Sequence, residues 1–287
     1  MARLIVPEAE ALLDKEIPVL DKGFVRLVDY LGGDARIVQA ARVSYGAGTK
    51  TVREDRALIH YLMRNEHTSP FEQVVLTFHC KMPIFVARQW VRHRTARLNE
   101  ISGRYSVMKD EFYVPDPEQV RLQSQVNKQG RSEEAVPPEQ AEQLIQRMEE
   151  DQRHLYERYE QILELGIARE LARINLPLSL YTEWYWQIDL HNLFHFLRLR
   201  MDEHAQYEIR CYALALAQCA KAVAPMAYEA FEEHILNSVR FSRSECAALA
   251  AMLEGREISM EDRPRRVFDA KLKRLKEIAG EHQPEQD

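Results

Sequence analysis

Two segments of alternating polarity constrain the fold of this 287-residue chain more than any other feature. They cover residues 73–82 and 180–189. Successive side chains of a β-strand point to opposite faces of a sheet, so a period of two predicts strands with one buried face. The side chains predicted on the buried faces are Val74, Leu76, Phe78, Cys80 and Met82 in the first strand, and Leu180, Thr182, Trp184, Trp186 and Ile188 in the second. We also expect Tyr185 to be a core side chain, as are the flanking tryptophans, and not a stacking platform.

Helical periodicity accounts for most of the remaining chain. Capping residues and apolar residues at helical spacing predict five helices. They cover residues 34–44, 53–64, 139–165, 191–200 and 204–224. A shorter helix is expected after Pro83, because proline suits the first helical turn. This pattern predicts an α/β chain of the α+β type, in which several helices pack around a small, mostly antiparallel central sheet in a single domain.

The composition is that of a globular protein. Hydrophobic residues make up 46% and charged residues 29% of the chain, which excludes an intrinsically disordered protein. No stretch approaches the roughly 20 apolar residues of a membrane span, and the N-terminus turns acidic at Glu8, so neither a signal peptide nor a membrane partner is expected. A cytoplasmic location is the resulting prediction. The net charge of −6 argues against general nucleic-acid binding, so an anion site requires local clustering of positive charge.

The cysteines give no sign of a disulfide framework. The four are Cys80, Cys211, Cys219 and Cys246, and no two of them form a C-x-x-C pair. Each lies in or beside an apolar run, so buried, reduced thiols are expected, and a metal or redox role is the alternative.

Two polar segments are predicted to be peripheral. Residues 120–136 are polar and free of aromatic side chains, which is typical of a mobile loop. From Ser259 a capping pattern with Asp262 introduces a charged tail helix. Its cluster of basic residues suggests either nucleic-acid binding or a solvated amphipathic face, and we favour the second.

The most informative stretch for function is residues 88–105. It holds five arginines and one acidic residue, Glu100, so its local charge is +4 in a chain of −6. Arginine forks suit phosphate oxygens, whereas solvated helix faces usually mix both signs of charge. Residues 92, 93 and 94 cannot share one helix face, so a site built by this segment lines more than one wall or meets more than one ligand. Ser102 and Gly103 beyond them offer a hydroxyl and close backbone approach. The alternative is a basic surface with salt bridges.

The spacing in this stretch resembles a known signature. Arg92-His93-Arg94, seven residues, then Ser102, is similar to the R-H-R-x7-S pattern of flavin-dependent thymidylate synthases. Further matches stand in the family's order over roughly residues 20–235. They begin at Ala41, His67, Ala172, Asp189 and His204 and read A-R-V-S, H-T-S-P-F-E, A-R-I-N-L-P, D-L-H-N-L-F-H-F-L-R-L-R and H-A-Q. One departure is Arg97, which stands where the fuller signature has a serine, and this puts local hydrogen bonding in doubt.

The resemblance implies a function and an assembly. Such enzymes convert dUMP to dTMP, with 5,10-methylenetetrahydrofolate as one-carbon donor and FAD, reduced by NADPH, as hydride source. The reaction uses no cysteine nucleophile. The family forms homotetramers with active sites at subunit interfaces. The implied domains are a catalytic domain over residues 1–245, with a mobile insertion at 118–136, and a charged helical extension over 246–287.

The resemblance also implies roles for individual residues. Those expected along FAD are Ser44, Ser69, Arg92, His93, Arg94, Glu100, Asp189, His191 and His195. Those expected around dUMP are Gln89, Arg92, Glu100, Ser102, Gly103, Arg104, Arg173 and Arg200. Arg200, His67 and Ser102 are the expected catalytic residues, and Arg200 is expected to favour the ionised uracil ring.

Other interpretations stay open at this level. His191 and His195 are spaced i, i+4 and could bind metal with His204, although no H-E-x-x-H is present and we expect no metal. Arg173 could simply pair with Glu170. A nucleotide or nucleic-acid binding module without catalysis, or a helical zinc hydrolase, are the rival functions. A Rossmann dehydrogenase is disfavoured because no G-x-G-x-x-G follows a strand.

Overall fold

The computed structural model describes residues 4–43, 52–125 and 129–281. The described chain forms a five-stranded sheet, a separate strand pair and eleven α-helices. The strands are β1 (Glu16–Val19), β2 (Gly23–Leu31), β3 (Val75–Pro83), β4 (Arg97–Glu100), β5 (Arg121–Gln123), β6 (Arg131–Ala135) and β7 (Tyr181–Asp189). The helices are α1 (Pro7–Glu10), α2 (Asp34–Arg42), α3 (Val52–Arg64), α4 (Ile84–Trp90), α5 (Pro138–Glu164), α6 (Arg169–Ala172), α7 (Leu190–Arg200), α8 (Tyr207–Val223), α9 (Pro225–Phe231), α10 (Arg243–Leu253) and α11 (Asp262–Glu281). None of these described helices is both long and apolar enough to cross a membrane.

The five-stranded sheet confirms the predicted α+β class. Its strand order is β1-β2-β3-β7-β4, and every neighbouring pair is antiparallel. The two strands predicted from alternation, β3 and β7, lie side by side at its centre, with Phe78 opposite Trp186. The second sheet is the antiparallel pair of β5 and β6. Both strands lie within residues 120–136, the segment predicted to be a loop.

The core lies between one face of the sheet and the helices α4, α7 and α8. The predicted inward residues of the two strands are buried, and Leu180, just before β7, packs in a separate cluster with Phe112 and Tyr159. The helix α8 is buried on several sides, as its apolar sequence predicted. Gly23 is required at the edge of this core, because a Cβ atom there would lie 2.0 Å from the hydroxyl of Tyr212. That hydroxyl donates a hydrogen bond of 2.7 Å to the carbonyl oxygen of Lys81.

Three expectations about side-chain burial are wrong. Tyr185 is 46% exposed, because it lies on the face of β7 opposite to the tryptophans and stacks on His79 with ring centroids 4.9 Å apart. Lys81 is buried although it lies on the outer face of β3, where it pairs with Glu111. Cys246, which was expected to be buried, is exposed near the start of α10.

The chain divides into two compact units, Met1–Tyr228 and Glu229–Asp287. The predicted boundary after residue 245 lies within α10. In the second unit, Ser242 and Glu245 form a capping box at the start of α10, and Lys271 of α11 donates to Glu245 over 2.7 Å. The predicted tail helix is present as α11, and its Phe268 is buried.

Candidate active site

The arginine-rich stretch begins at a buried tryptophan. Trp90 ends α4 and is fully buried against the rings of Trp184, Trp186 and Phe196, at centroid distances of 5.4, 5.2 and 5.1 Å. The helix ends there, so the next residues follow a turn. The backbone N–H of His93 donates to the carbonyl oxygen of Trp90 over 3.0 Å. The core therefore fixes the point from which the three motif side chains diverge.

The turn brings His93 to Arg200, which is 107 residues further along the chain. The Nε of Arg200, at the end of α7, donates to Nε2 of His93 over 3.0 Å. The His93 ring also lies 4.7 Å from the ring of Phe196 and 5.9 Å from that of His195. Burial, then the charge of Arg200 and then His195, lower the pKa of His93 to about 4. His93 is thus a neutral acceptor that orients the Arg200 guanidinium.

We expect His93 to make the folded protein less stable when the pH is lowered from 7 to 5. Unfolded His93 titrates near 6.5, whereas the folded side chain stays neutral to about 4, so only the unfolded state binds this proton between those values. The free energy of unfolding should therefore decrease as pH falls through that window. In His93→Asn, urea titrations at pH 7 and pH 5 should show a smaller decrease than in the wild type. His154→Gln, a change at an exposed helical histidine, serves as the control. Equal decreases in all three proteins would contradict the assignment.

A second group of predicted residues forms where β4 ends. The strand pairs with β7, and the carboxylate of Glu100 accepts a hydrogen bond of 2.6 Å from the hydroxyl of Thr182. The chain then turns at Ser102, whose Oγ accepts from the backbone N–H of Arg104 over 3.3 Å. Gly103 is buried against Arg173, and a Cβ on Gly103 would lie 2.9 Å from Cδ of Arg173. The absence of a side chain at 103 makes room for that arginine.

The charges of this region are mostly uncompensated. Glu170 pairs with Arg104 over 3.0 Å. The alternative interpretation, in which Glu170 pairs with Arg173, is therefore wrong. Within the described ranges, Arg92, Arg94 and Arg173 take part in no ion pair. The cluster is therefore not a basic surface neutralised by salt bridges, and it retains positive charge for an anionic ligand.

The helix α7 carries predicted residues at both ends. At its start, Asp189 caps the helix by accepting from the backbone and side-chain N–H groups of Asn192, over 2.9 and 2.7 Å. His191 follows and is half-buried, at about 14 Å along the axis from Arg200 by the rise of 1.5 Å per residue. The backbone N–H of Leu190 donates to the carbonyl oxygen of Val74 over 2.8 Å, which ties this end to the start of β3.

The remaining predicted residues are His67, Ser69, Gln89 and Ser44. His67 and Ser69 are exposed in the turn that leads into β3, and the His67 ring lies edge-on to Tyr61 at 5.8 Å. No contact in the described residues joins His67 or Ser69 to the His93–Arg200 pair. Ser44 lies outside the described residues. Gln89, in α4, donates from Nε2 to the side-chain oxygen of Gln206.

Sequence reasoning missed some supporting residues. Thr182 was predicted only as a core residue, although its hydroxyl holds Glu100. The sequence does not single out Glu208, although it is a fully buried carboxylate beside Gln206, which donates to it over 2.8 Å. A single acidic residue opening the apolar helix α8 was the only available signal.

The histidine-rich part of α7 provides no metal site: in the described ranges no three His, Cys, Asp or Glu residues are arranged to hold a metal ion.

Comparison with known proteins identifies the family. A family model described as "Thymidylate synthase complementing protein" matches residues 26–226, and one described as "Thymidylate synthase ThyX C-terminal domain" matches residues 239–278. A flavin-dependent thymidylate synthase from Treponema denticola is 61% identical over 93% of this chain and 100% of its own length. The corresponding protein of Treponema pallidum is 59% identical over 95% of this chain and 90% of its own length.

This chain belongs to the flavin-dependent thymidylate synthase family.

A solved structure agrees with this membership of the flavin-dependent thymidylate synthases. The UMP/dUMP methylase PolB from Streptomyces cacaoi, crystallised with 5-Br dUMP, superposes with a TM-score of 0.70. It is 32% identical in sequence, and the match covers 77% of this chain and 99% of PolB. The fold of that neighbour is thus present in this chain over almost all of the neighbour's length.

Proposed function

We propose that this protein methylates dUMP to dTMP reductively, as a flavin-dependent thymidylate synthase. The observation that carries the proposal is the identity of 61% over the full length of the Treponema denticola enzyme of that name. The arginines without ion pairs in the turn after α4, Arg92 and Arg94, and after α6, Arg173, support it, since a nucleotide monophosphate needs fixed cations.

The proposed dUMP site is the set of residues named from the resemblance, which includes Gly103, Arg173 and Arg200. Arg173 packs against Gly103 and has no ion-pair partner in the described chain, so its guanidinium is available to phosphate oxygens. The hydroxyl of Ser102 and the turn beyond it supply further donors. Glu100 is held by Thr182 and can accept from the sugar or base.

The proposed flavin site is the set that spans α7 and the arginine-rich turn. Arg92 and Arg94 are exposed and form no ion pair in the described ranges, so they suit the pyrophosphate of FAD. The neutral imidazole of His93 places no extra charge there. When bound, reduced flavin supplies the hydride of the reaction. NADPH as reductant and 5,10-methylenetetrahydrofolate as one-carbon donor complete the proposal, with His67 near the folate.

Arg200 is proposed to act on the pyrimidine. Negative charge on the uracil ring makes C5 more nucleophilic, and a fixed cation beside the ring lowers the free energy of that charge. Burial lowers the pKa of Arg200, but a guanidinium starts so far above neutrality that it keeps its proton. The hydrogen bond to His93 holds it in one orientation.

The cysteines do not favour a thiolate mechanism. Burial raises the pKa of Cys80 and of Cys211, and raises that of Cys219 to about 12. A nucleophilic cysteine needs the opposite shift, brought about by nearby cations. The proposal therefore involves no covalent bond between enzyme and C6 of the pyrimidine.

We further propose a homotetramer with active sites at subunit interfaces. Exposed apolar side chains lie next to Arg173 in sequence, and a neighbouring subunit would bury them. They are Leu171, Ile174 and Leu178, exposed by 58%, 70% and 62%. A cytoplasmic location and the absence of nucleic-acid or membrane partners stay predictions from the sequence, as do the domain boundaries drawn there.

The function is tested by flavin titration followed by turnover. The purified protein should bind FAD, oxidise NADPH faster when dUMP is present, and form dTMP when methylenetetrahydrofolate is added. A protein that never acquires flavin would overturn the proposal. The rival nucleic-acid module predicts binding to unrelated polynucleotides that falls steeply with salt. Selective binding of the mononucleotide would reject that rival.

Gly103→Ala should weaken dUMP binding with little loss of stability. The new Cβ must displace the flexible Arg173 side chain, which lies 2.9 Å away, and a charged hydrogen bond to phosphate is then lost. We expect the Kd for dUMP to rise about tenfold. Isothermal titration with dUMP measures it. Gly280→Ala is the matched control, because a Cβ there meets nothing within 4 Å. Unchanged affinity in Gly103→Ala would argue against Arg173 as a ligand.

A further inference from the structure

A fully buried carboxylate lies one hydrogen-bonded residue away from the proposed nucleotide site. Glu208 is in the first turn of α8 and is 0% exposed. Its Oε1 accepts from the hydroxyl of Tyr113 over 3.1 Å and from Nη2 of Arg131 over 2.5 Å. Its Oε2 accepts from Nε2 of Gln206 over 2.8 Å. Since Arg131 belongs to β6, the strand pair supplies the charge that neutralises this carboxylate.

The carboxylate sets the direction of two amide side chains. An ionised carboxylate can only accept hydrogen bonds, so Gln206 must turn its nitrogen towards Glu208. The side-chain oxygen of Gln206 then faces away and accepts from Nε2 of Gln89. Because the side-chain nitrogen of Gln89 donates to Gln206, the side-chain oxygen of Gln89 stays available as an acceptor. No other described residue donates to that oxygen.

We infer that Glu208 is a positioning residue that acts through Gln206 to make Gln89 present its carbonyl oxygen to a hydrogen-bond donor of the nucleotide. The inference rests on the proposed function, in which Gln89 contacts dUMP. It assigns to Glu208, Gln206 and Arg131 a role in substrate recognition that the arginine-rich motif does not include. We call the hydrogen bonds that run from Glu208 through Gln206 to Gln89 the relay. Without the relay, Gln89 could turn either end of its amide to the ligand at similar energy.

Two groups of dUMP are donors of the required kind. They are the ring N3–H and the sugar 3′-hydroxyl, and the same acceptor would serve either. Two analogues separate them: N3-methyl-dUMP lacks the first donor, and 2′,3′-dideoxyuridine monophosphate lacks the second.

Glu208→Gln should reverse the relay without changing the size of the side chain. Arg131 and Tyr113 both donate to Oε1, so the new amide must keep its oxygen there. Its nitrogen then faces Gln206, which must rotate to accept, and Gln206 in turn donates to Gln89. Gln89 now directs its NH₂ group at the donor of the nucleotide. We expect the Kd for dUMP to rise about tenfold, the equivalent of one lost hydrogen bond.

The decisive measurement compares the Kd of wild type and of Glu208→Gln for dUMP and for each of the two analogues. The increase in Kd between wild type and Glu208→Gln should disappear with one analogue and persist with the other, which identifies the donor. An increase that persists with both analogues, or is absent with dUMP, overturns the inference. A purely structural effect would not depend on the ligand.

Tyr113→Phe is the matched control, because it removes one hydrogen bond to Glu208 and leaves an acceptor-only carboxylate. A rise in Kd in Tyr113→Phe equal to that in Glu208→Gln also overturns the inference.

A second variant keeps the test valid if Glu208→Gln does not fold. Gln206→Met removes the middle of the relay and leaves the buried ion pair of Arg131 and Glu208 intact. It should raise the Kd in the same ligand-dependent manner. Failure of the proposed function is distinguishable, since it would appear as a wild-type protein that forms no dTMP. A wild type that forms dTMP, with variants that bind dUMP and both analogues as it does, refutes the relay alone.

Discussion

Arg200→Ala should lower kcat for dTMP formation by about a hundred- to a thousandfold, the range seen when one preorganised charge-stabilising group is removed. The reason lies in the pair of Arg200 with His93, whose Nε2 is 3.0 Å from Nε of the arginine. That contact holds a permanent cation in one orientation, and alanine removes both the cation and the donor. Flavin affinity should change far less, because Arg92 and Arg94 are untouched.

Single-turnover kinetics with flavin fluorescence titration separate these two effects. Arg200→Lys should recover part of kcat, because lysine restores the charge but not the planar fork that fits both His93 and the ring. Arg198→Ala is the matched control, two residues earlier on the same helix and therefore on a different face. Turnover of Arg200→Ala equal to that of Arg198→Ala would refute the role assigned to Arg200.

Trp90→Ala should lower the free energy of unfolding by about 3–5 kcal/mol, as is typical when a large aromatic side chain is removed from a core. Trp90 is 0% exposed and its ring lies within 5.8 Å of the rings of Trp184, Trp186, Phe196 and Tyr212. The resulting cavity would be at the point where the arginine-rich turn leaves α4, so nucleotide binding should weaken as well.

Urea denaturation measures the stability of Trp90→Ala. Trp90→Phe is the informative control, because the indole N–H has no hydrogen-bond partner in the described part of the protein. Phenylalanine thus sacrifices packing volume but no polar contact, and the loss should be much smaller than for alanine. A loss below about 1 kcal/mol in Trp90→Ala would mean that the surrounding rings collapse into the space.

The sequence predicted the central strands but not the outer ones, for a physical reason in each case. The strands β3 and β7 alternate in burial over most of their length, from Val75 to Cys80 and from Thr182 to Asp189, because both bury one face there. In β2 the pairing register shifts between Leu27 and Asp29, so the buried positions pass from Leu27 to Tyr30 and the period of two is broken. All four residues of β4 are exposed, and pairing with β7 alone makes it a strand. No pattern of burial exists there to detect.

The site was predictable in its composition and not in its geometry. Local charge marked residues 88–105 as an anion site, since the acidic partners of a solvated face were missing. The contact of Arg200 with His93 joins positions 107 residues apart, and the contact of Gly103 with Arg173 is a matter of tertiary packing. Spacing along the chain holds no information about either. The resemblance to a family, carried by separated motifs, assigns Gly103 and Arg173 to the same ligand, but it assigns His93 and Arg200 to different ones.

A single helix, α7, joins two groups of the proposed site residues. Because α7 runs from the cap at Asp189 to Arg200, the number of residues in the helix sets both the distance between these two side chains and their relative direction around the helix axis. Inserting or deleting one residue within it would turn everything beyond by about 100° and would shift it by about 1.5 Å. Evolution and protein engineering can therefore exchange side chains along this segment, but neither can alter its residue count without separating Arg200 from His93.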